Sequence, residues 1–134
     1  AGFSGDGSLA VYARLNRPCG VAVSPLNDDL YIADEQNHRV RCVASATGRM
    51  STVAGFGQRG YSGDGGPAAF ARLDLARAHL AVDLLGTLYI SDRGNHRIRS
   101  VDPHTGVITT FAGTGTGWPW RGGGFAAVPT SKPL

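Results

Sequence analysis

Apolar and polar residues alternate along this chain in short runs, and turn-forming residues separate one run from the next. β-Branched and aliphatic residues fill runs of about four or five positions, while Gly, Pro, Asn and Asp stand between them, which is typical of short β-strands joined by turns. No stretch has the 3.6-residue period of an amphipathic helix. The sequence therefore predicts an all-β protein.

The predicted strands form two groups of four. The first group consists of Gly20 to Ser24, Leu30 to Ala33, Arg39 to Val43 and Met50 to Ala54. The second group consists of Leu80 to Asp83, Leu88 to Ser91, Arg97 to Val101 and Ile108 to Ala112. Because short turns join consecutive strands, each group predicts one antiparallel four-stranded sheet.

The two groups belong to an internal repeat in which residues 60–115 restate residues 2–57 at an offset of 58 positions. The landmarks are Ser4-Gly5-Asp6-Gly7 with Ser62-Gly63-Asp64-Gly65, Leu30-Tyr31-Ile32 with Leu88-Tyr89-Ile90, and Asn37-His38-Arg39 with Asn95-His96-Arg97. Repeats of about this length are typical of solenoids, propellers and arrays. We divide the chain into a first linker (1–15), a first unit (16–57), a second linker (58–73), a second unit (74–115) and a divergent Gly/Trp-rich tail (116–134).

The run Leu-Tyr-Ile-x-Asp-x-x-Asn-His-Arg, followed by Thr-Gly and then Ala-Gly in both units, resembles the NHL repeat. The subtype with Ser-Gly-Asp-Gly linkers fits best, since residues 61–68 read Tyr-Ser-Gly-Asp-Gly-Gly-Pro-Ala. The resemblance covers roughly residues 1–117. It implies that each unit is one blade of an NHL-type β-propeller.

Two blades are too few for a closed ring, since propellers have roughly four to eight. The fold class expected is therefore all-β, two four-stranded antiparallel blades, incomplete as a single chain. Stacked repeats bury their apolar faces against their neighbours, so we expect further blades to cover these two. Those blades belong either to the same longer chain or to other copies in a homo-oligomer, and we expect the isolated chain not to be a stable monomer.

Several polar residues recur with the repeat and are predicted to hold each blade together. They are Asp34, Asn37, His38 and Arg39 in the first unit, and Asp92, Asn95, His96 and Arg97 in the second. We expect Asp34 to pair with Arg39 across the intervening turn, and Asp92 with Arg97, although a nucleic-acid contact is the alternative. Arg14 with Arg72 and Arg41 with Arg99 recur in the same way.

The repeated histidines and the glycine-rich aspartates allow a second interpretation. His38 and His96 have the chemistry of a metal ligand or general base, but recurrence favours a packed or hydrogen-bonded side chain. Asp6 and Asp64 resemble an element of a calcium loop, yet the further carboxylates of such a shell are missing. We therefore predict that these aspartates cap backbone amides, and we predict neither a metal nor a cofactor.

Strand order points to one rim as the binding surface. In an up-and-down blade the turn between the second and third strands shares a rim with the linker, and long loops on a rigid scaffold commonly carry binding sites. We call this the long-loop rim and the opposite edge the short-turn rim. The tentative binding residues are Arg59, Tyr61, Asp64, Arg72, Asp92 and Arg93. The tail residues Trp118, Trp120 and Arg121 could form a stacking platform or dock on apolar surface.

Composition adds little to this picture. Thirteen basic and ten acidic residues give a net charge of +3, which does not by itself indicate nucleic-acid binding. Cys19 and Cys42 lie on or beside strands two apart, about 9 to 10 Å from each other, so we predict two unlinked thiols. No apolar run approaches the length of a membrane span. The resemblance leans towards an extracellular or cell-surface location.

Three functions remain open at this point. The first is a non-enzymatic interaction or scaffold module that binds a protein partner through the long-loop rim. The second is part of a catalytic propeller, of the metal-dependent lyase or hydrolase type, with its active site outside these residues. The third is an RNA-binding NHL surface. We favour the first, because no nucleophile, base and orienting acid stand together in the sequence.

Overall fold

The computed structural model describes residues 2–115, and the tail residues Trp118, Trp120 and Arg121 lie outside this range. Eight strands and four single-turn 3₁₀ helices make up the described chain. The strands are β1 (Pro18–Val23), β2 (Leu30–Asp34), β3 (Arg39–Val43), β4 (Met50–Ala54), β5 (Leu80–Val82), β6 (Leu88–Asp92), β7 (Arg97–Val101) and β8 (Ile108–Ala112). The 3₁₀ helices are Ala10–Tyr12, Glu35–Asn37, Ala68–Phe70 and Arg93–Asn95.

The strands form two antiparallel sheets, each in the simple order of the chain, β1-β2-β3-β4 and β5-β6-β7-β8. The predicted all-β fold and its two four-stranded blades are confirmed, and we call the sheets blade 1 and blade 2. Strand β1 begins two residues before the predicted Gly20, at Pro18. Proline is tolerated there because β1 is an edge strand and Pro18 is its first residue.

The core lies between the two blades and is filled partly by the second linker. Ala33, Val40 and Ala54 of blade 1 face Leu88 and Ile90 of blade 2 within one buried cluster. The linker and the residues just after it contribute Ala68, Ala71, Leu73, Leu75 and Ala78 to the same cluster. Short side chains at three of these five positions let the linker pass between sheets that would otherwise pack directly together.

The linkers do not stay on one rim, which corrects the expected rim assignment. Each starts beside the turn between the second and third strands, then crosses the outer edge of its blade to the opposite end. The backbone N–H of Gly7 donates to the carbonyl of Met50 at 2.7 Å, and Ala10 donates to Gly48 at 2.8 Å. Only the start and the end of each linker therefore belong to the long-loop rim, because unpaired backbone groups on β4 and β8 draw the middle along the edge.

The outward faces of both blades are open in the described chain, so the ring is not closed. Val21 and Val23 on β1 are exposed, as is Ile98 on the outward face of blade 2. Cys19 lies within β1 rather than just before it, and Cys42 lies on β3. Both are free thiols, as the strand spacing predicted.

Candidate functional site

One buried arginine organises each blade. Arg41, at the centre of β3, is completely buried and its guanidinium reaches two carboxylates, Asp6 of the linker at 2.8 Å and Asp34 of β2 at 3.1 Å. Its remaining N–H groups donate to the carbonyls of Ser4 (2.8 Å) and Arg14 (3.2 Å). A buried charge is tolerated only when it is paired and its donors are satisfied, and this geometry meets both conditions.

Blade 2 repeats the same network atom for atom. Arg99 is completely buried and reaches Asp64 at 2.9 Å and Asp92 at 3.1 Å. Its other N–H groups donate to the carbonyls of Ser62 (2.8 Å) and Arg72 (3.1 Å). Because the linker supplies three of these four acceptor residues, the network fastens each linker to the blade that follows it in the chain.

Asp34 and Asp92 form ion pairs with other arginines than the sequence predicted. The sequence suggested Asp34 with Arg39, whereas the ion pair of Asp34 is with Arg41, and that of Asp92 is with Arg99. The same carboxylates also accept from backbone N–H groups, Asp34 from Asn16 at 2.7 Å and Asp92 from Asp74 at 2.7 Å. They close the junction between the end of the linker and the second strand.

Asp6 and Asp64 do not cap backbone amides, so that prediction is wrong. Asp6 accepts from the guanidinium of Arg41 and from the hydroxyl of Thr52 at 2.6 Å. Asp64 accepts from Arg99, from Tyr61 Oη at 2.7 Å and from the hydroxyl of Thr110. The glycines beside each aspartate provide the turn, and the carboxylate is directed at side chains of the sheet.

These contacts also set the ionisation of Asp64. Partial burial alone would raise its pKa, but the hydrogen bonds from Thr110 and Tyr61 and the charge of Arg99 outweigh burial and lower it. The carboxylate is therefore ionised at neutral pH, and it contributes to stability until the pH falls below its ordinary range.

In each blade one aromatic ring packs on two arginines of the third strand. In blade 1, the guanidinium groups of Arg39 and Arg41 lie 3.7 and 4.6 Å from the ring centre of Phe3. In blade 2, those of Arg97 and Arg99 lie 3.8 and 4.8 Å from the ring centre of Tyr61. Cation–π contact stabilises both partners. The two rings therefore fix the start of each linker.

Gly57 and Gly115 explain why this stacking is possible. A Cβ atom on Gly57 would lie 2.7 Å from Nη1 of Arg39, closer than real contacts allow, and Gly115 meets Arg97 in the same way. Both glycines also have a positive φ, which other residues adopt at a cost. The backbone at the last residue of each unit thus lies against the second face of the guanidinium.

The remaining repeat residues shape the turn between the second and third strands. Asn37 donates from Nδ2 to the carbonyl of Gly2 at 2.7 Å and to Asp34 at 2.8 Å, and Asn95 contacts Gly60 at 2.7 Å. His38 and His96 end the 3₁₀ turns in the left-handed conformation, with φ of 51° and 56°. Histidine is among the residues enriched there, which gives these positions a backbone role.

The side chains of the two repeated histidines do not share a hydrogen bond. Nδ1 of His38 is buried without a hydrogen-bond partner, while His96 is exposed. Among residues 2–115 no group of three or more His, Cys, Asp or Glu side chains is placed to hold a metal ion. No helix in that range is long and apolar enough to cross a membrane.

The tentative binding residues divide into three kinds. Arg59, Arg72 and Arg93 are exposed, and the side chain of Arg59 is 69% exposed although its Nε lies 2.8 Å from Asp74. Tyr61 and Asp64 are exposed only in part, because both belong to the arginine network. Asp92 is completely buried, so its inclusion as a binding residue was wrong: it faces Arg99.

Sequence reasoning missed the central position of Arg41 and Arg99. Their recurrence in both units was visible, but so was that of Arg39 and Arg97, and the turn spacing favoured the latter pair. It also missed Thr52 and Thr110, whose signal is the pairing of each threonine with the buried arginine across the third and fourth strands.

Comparison with known proteins agrees with this architecture. Residues 15–43 match the family model described as NHL repeat. The chain is 31% identical over 111 residues to "Protein SUPPRESSOR OF QUENCHING 1, chloroplastic" of Arabidopsis thaliana, over 82% of this chain and 10% of that protein. It is 29% identical over 110 residues to "NHL repeat-containing protein 2" of Bos taurus, over 81% of this chain and 15% of that protein.

A further relative is "Teneurin-4" of Homo sapiens, 32% identical over 114 residues, which covers 76% of this chain and 4% of that protein. The chain therefore spans no more than 15% of the length of these curated relatives. The match to the family model covers the first three strands of blade 1, and blade 2 repeats the strand order and the arginine network of blade 1. The chain is an NHL-repeat protein, and its two sheets are NHL blades.

Proposed function

We propose that this chain is a non-enzymatic interaction module that binds a protein partner through its long-loop rim. The observation that carries the proposal is the contrast between two sets of arginines. Arg41 and Arg99 direct their N–H groups into their own blades, whereas Arg59 and Arg93 project from the rim into solvent. Exposed arginines on a rigid scaffold are common anchors of protein interfaces.

The exposed charge of this rim is mainly positive, which favours a partner with an acidic surface. Arg17 and Arg77, which precede the first strand of each blade, are also exposed there. The acidic residues nearby are less accessible, since Glu35 is half-buried and Asp74 is buried. A partner with acidic side chains would therefore be attracted and oriented before it docks.

One observation favours a protein over RNA, and a second favours a non-enzymatic role. Recognition of single-stranded RNA relies on aromatic faces that stack with bases. Phe3 and Tyr61, the aromatic residues at the start of the linkers, already stack against arginines of their own blades. The aspartates, asparagines and buried arginines of the repeat bond to groups of their own linker and blade, which supports a non-enzymatic role.

The proposal is tested with a partner captured at the rim. A photo-crosslinking amino acid placed at Arg93, with one at His104 on the short-turn rim as control, would identify a protein that contacts this surface in the source cell. The association rate of that purified protein would then be measured for Arg59→Glu and Arg93→Glu. We expect a decrease of about tenfold at low salt, which shrinks as ionic strength rises.

Asp28→Asn and His104→Gln serve as matched controls, because both residues are exposed on the opposite rim. They should leave the association rate unchanged. Binding that is lost with the control substitutions and retained with Arg59→Glu and Arg93→Glu would contradict the assignment of the rim. RNA crosslinked at Arg93 in place of protein would contradict the choice of partner.

A further inference from the structure

A cleft opens between the two blades at the short-turn rim, away from the proposed binding surface. Its volume is about 310 Å³. The walls are largely apolar and come from both sheets, with Tyr31 and Val53 on one side and Leu88 and Val101 on the other. Leu26, Asn27, Asp102 and Pro103 surround the mouth. A volume near the lower end of the usual range for ligand pockets suits one bulky side chain better than an extended ligand.

Three exposed leucines lie in the turns beside this cleft. Leu26 is 60% exposed in the first turn of blade 1, and Leu84 and Leu85 are 78% and 73% exposed in the first turn of blade 2. Gly, Pro, Asn, Asp and Ser are the residues that such turns normally require. Here Asp83 performs that task, since its Oδ1 accepts from the backbone of Leu85 and Thr87, each at 2.9 Å.

The leucine side chains are therefore not needed to form the turns. Leu26 lines the cleft, and Leu84 and Leu85 come just before Gly86, which lines it as well. Exposed apolar side chains grouped at one edge of a protein are characteristic of an interaction site. Gly86, in the first turn of blade 2, lies against Leu26 of blade 1. A Cβ atom on Gly86 would lie 2.9 Å from Cδ1 of Leu26, so the absence of a side chain lets the two turns approach each other.

The turns that carry these leucines, and the neighbouring turn of blade 2, also carry acidic residues. The turns of the short-turn rim carry Asp28, Asp29, Asp83 and Asp102, and Arg49 is the basic counterpart among the turn residues described there. This sign is opposite to that of the long-loop rim. Burial, together with Cys42 and Asp29, raises the pKa of Tyr31, which lines the cleft.

We propose that this cleft binds a segment of a partner protein that combines one aromatic side chain with flanking lysine or arginine residues. The aromatic side chain enters between Val53 and Leu88, the leucines of the turns cover it, and the basic residues face the aspartates. Apolar burial supplies the affinity and the charges supply orientation. The site is separate from the long-loop rim and does not depend on the function proposed for it.

Binding of synthetic peptides to the full chain tests the proposal. The probe has one tryptophan flanked by lysines, and two control peptides carry alanine in place of the tryptophan or glutamate in place of the lysines. Calorimetry measures affinity, and methyl NMR signals of Leu26, Leu84 and Leu85 locate the contact. We expect the alanine peptide to bind about thirtyfold more weakly, as the loss of a hot-spot side chain requires. The glutamate peptide keeps the tryptophan and should bind more weakly than the probe, because its charges repel the aspartates.

Two changes in the protein make the test specific. Val53→Phe fills the cleft with the residue that blade 2 carries at the equivalent position, Phe111, so the strand should accept it. It should abolish binding of the tryptophan peptide. Leu84→Ser with Leu85→Ser alters only exposed side chains and should weaken binding about tenfold without unfolding the chain.

Several results would overturn the proposal. They are equal affinity for the tryptophan and alanine peptides, no binding of any peptide, or binding unchanged by both protein variants. If the peptide binds only after Trp118→Ser and Trp120→Ser, the tail of this chain is the occupant and a separate partner is ruled out. If tryptophan-peptide affinity falls as protein concentration rises, a second copy occupies the cleft.

Discussion

The two copies of the repeat have the same internal contacts but different surroundings. Arg41 and Arg99 make equivalent bonds to equivalent partners. The linkers differ, because the second is enclosed between two blades and the first has a blade on one side only. Leu73 is completely buried, whereas Leu15, at the same place in the first linker, is only half-buried.

The blade faces show the same contrast. Val40, on the face of blade 1 that meets blade 2, is completely buried, while Ile98 at the equivalent place in blade 2 is 37% exposed. The sequence thus places similar apolar residues on both faces, and only the presence of a neighbouring blade decides which are buried. The comparison separates contacts that hold a blade together from contacts that depend on its neighbours.

The largest effect is expected from the buried arginines. Arg41→Met or Arg99→Met leaves a buried carboxylate without its cation, and such changes cost about 3 to 5 kcal/mol. Because every partner of each arginine belongs to its own linker and blade, the two losses in free energy of unfolding should be similar. Chemical denaturation measures both.

Arg49→Met is the control for these variants, since the side chain of Arg49 is exposed and donates one hydrogen bond, to the carbonyl of Gly7. It should change stability by no more than about 0.5 kcal/mol. A loss confined to Arg99→Met, with Arg41→Met as mild as the control, would show that the network is not equivalent in the two copies.

The enclosed and the open linker should respond differently to truncation. Leu73→Ala removes a completely buried side chain and should cost about 2 to 5 kcal/mol, whereas Leu15→Ala should cost about half as much or less. Equal losses from the two substitutions, measured by the same denaturation, would mean that the first linker is covered as completely as the second.

A smaller effect on stability is expected from Cys42, since blade 2 has Ser100 at the equivalent position. Burial, with the charge of Asp29 nearby, raises the pKa of Cys42 to about 11. A folded-state pKa above the unfolded value stabilises the protein below that value, and the benefit is lost as the pH rises from about 9 to about 11. The loss is on the order of 2 kcal/mol.

Cys42→Ser should remove this alkaline loss, because serine does not titrate there. Stability of the wild type and the variant, followed by denaturation from neutral to alkaline pH, measures the effect. Parallel curves for the two proteins would show that the thiol has no part in alkaline unfolding.

The strands were predictable because alternation, turn residues and an internal repeat all indicate the same sheets. The partner of Asp34 was not, and the reason is geometric. Asp34 lies directly opposite Arg39 in the β2–β3 ladder, so proximity along the chain favoured that pair. In the structure the guanidinium of Arg39 turns outwards to Phe3, while Arg41 turns inwards to the carboxylate.

Sequence patterns also could not predict the path of the linkers. Backbone hydrogen bonds to the outer strands determine it, as with Gly65 and the carbonyl of Ile108 at 2.8 Å, and backbone groups leave no trace in residue type. For the same reason Asp64 was placed on a rim, although it lies against the sheet and bonds to Thr110. The cleft at the short-turn rim likewise depends on how two blades meet.

Sedimentation of the purified chain over a range of concentrations tests the central claim most directly. The account holds that each blade is complete in its internal contacts but that the outward faces require neighbouring blades. We therefore expect self-association that increases with concentration. A compact monomer that unfolds cooperatively and shows no dependence on concentration would contradict it.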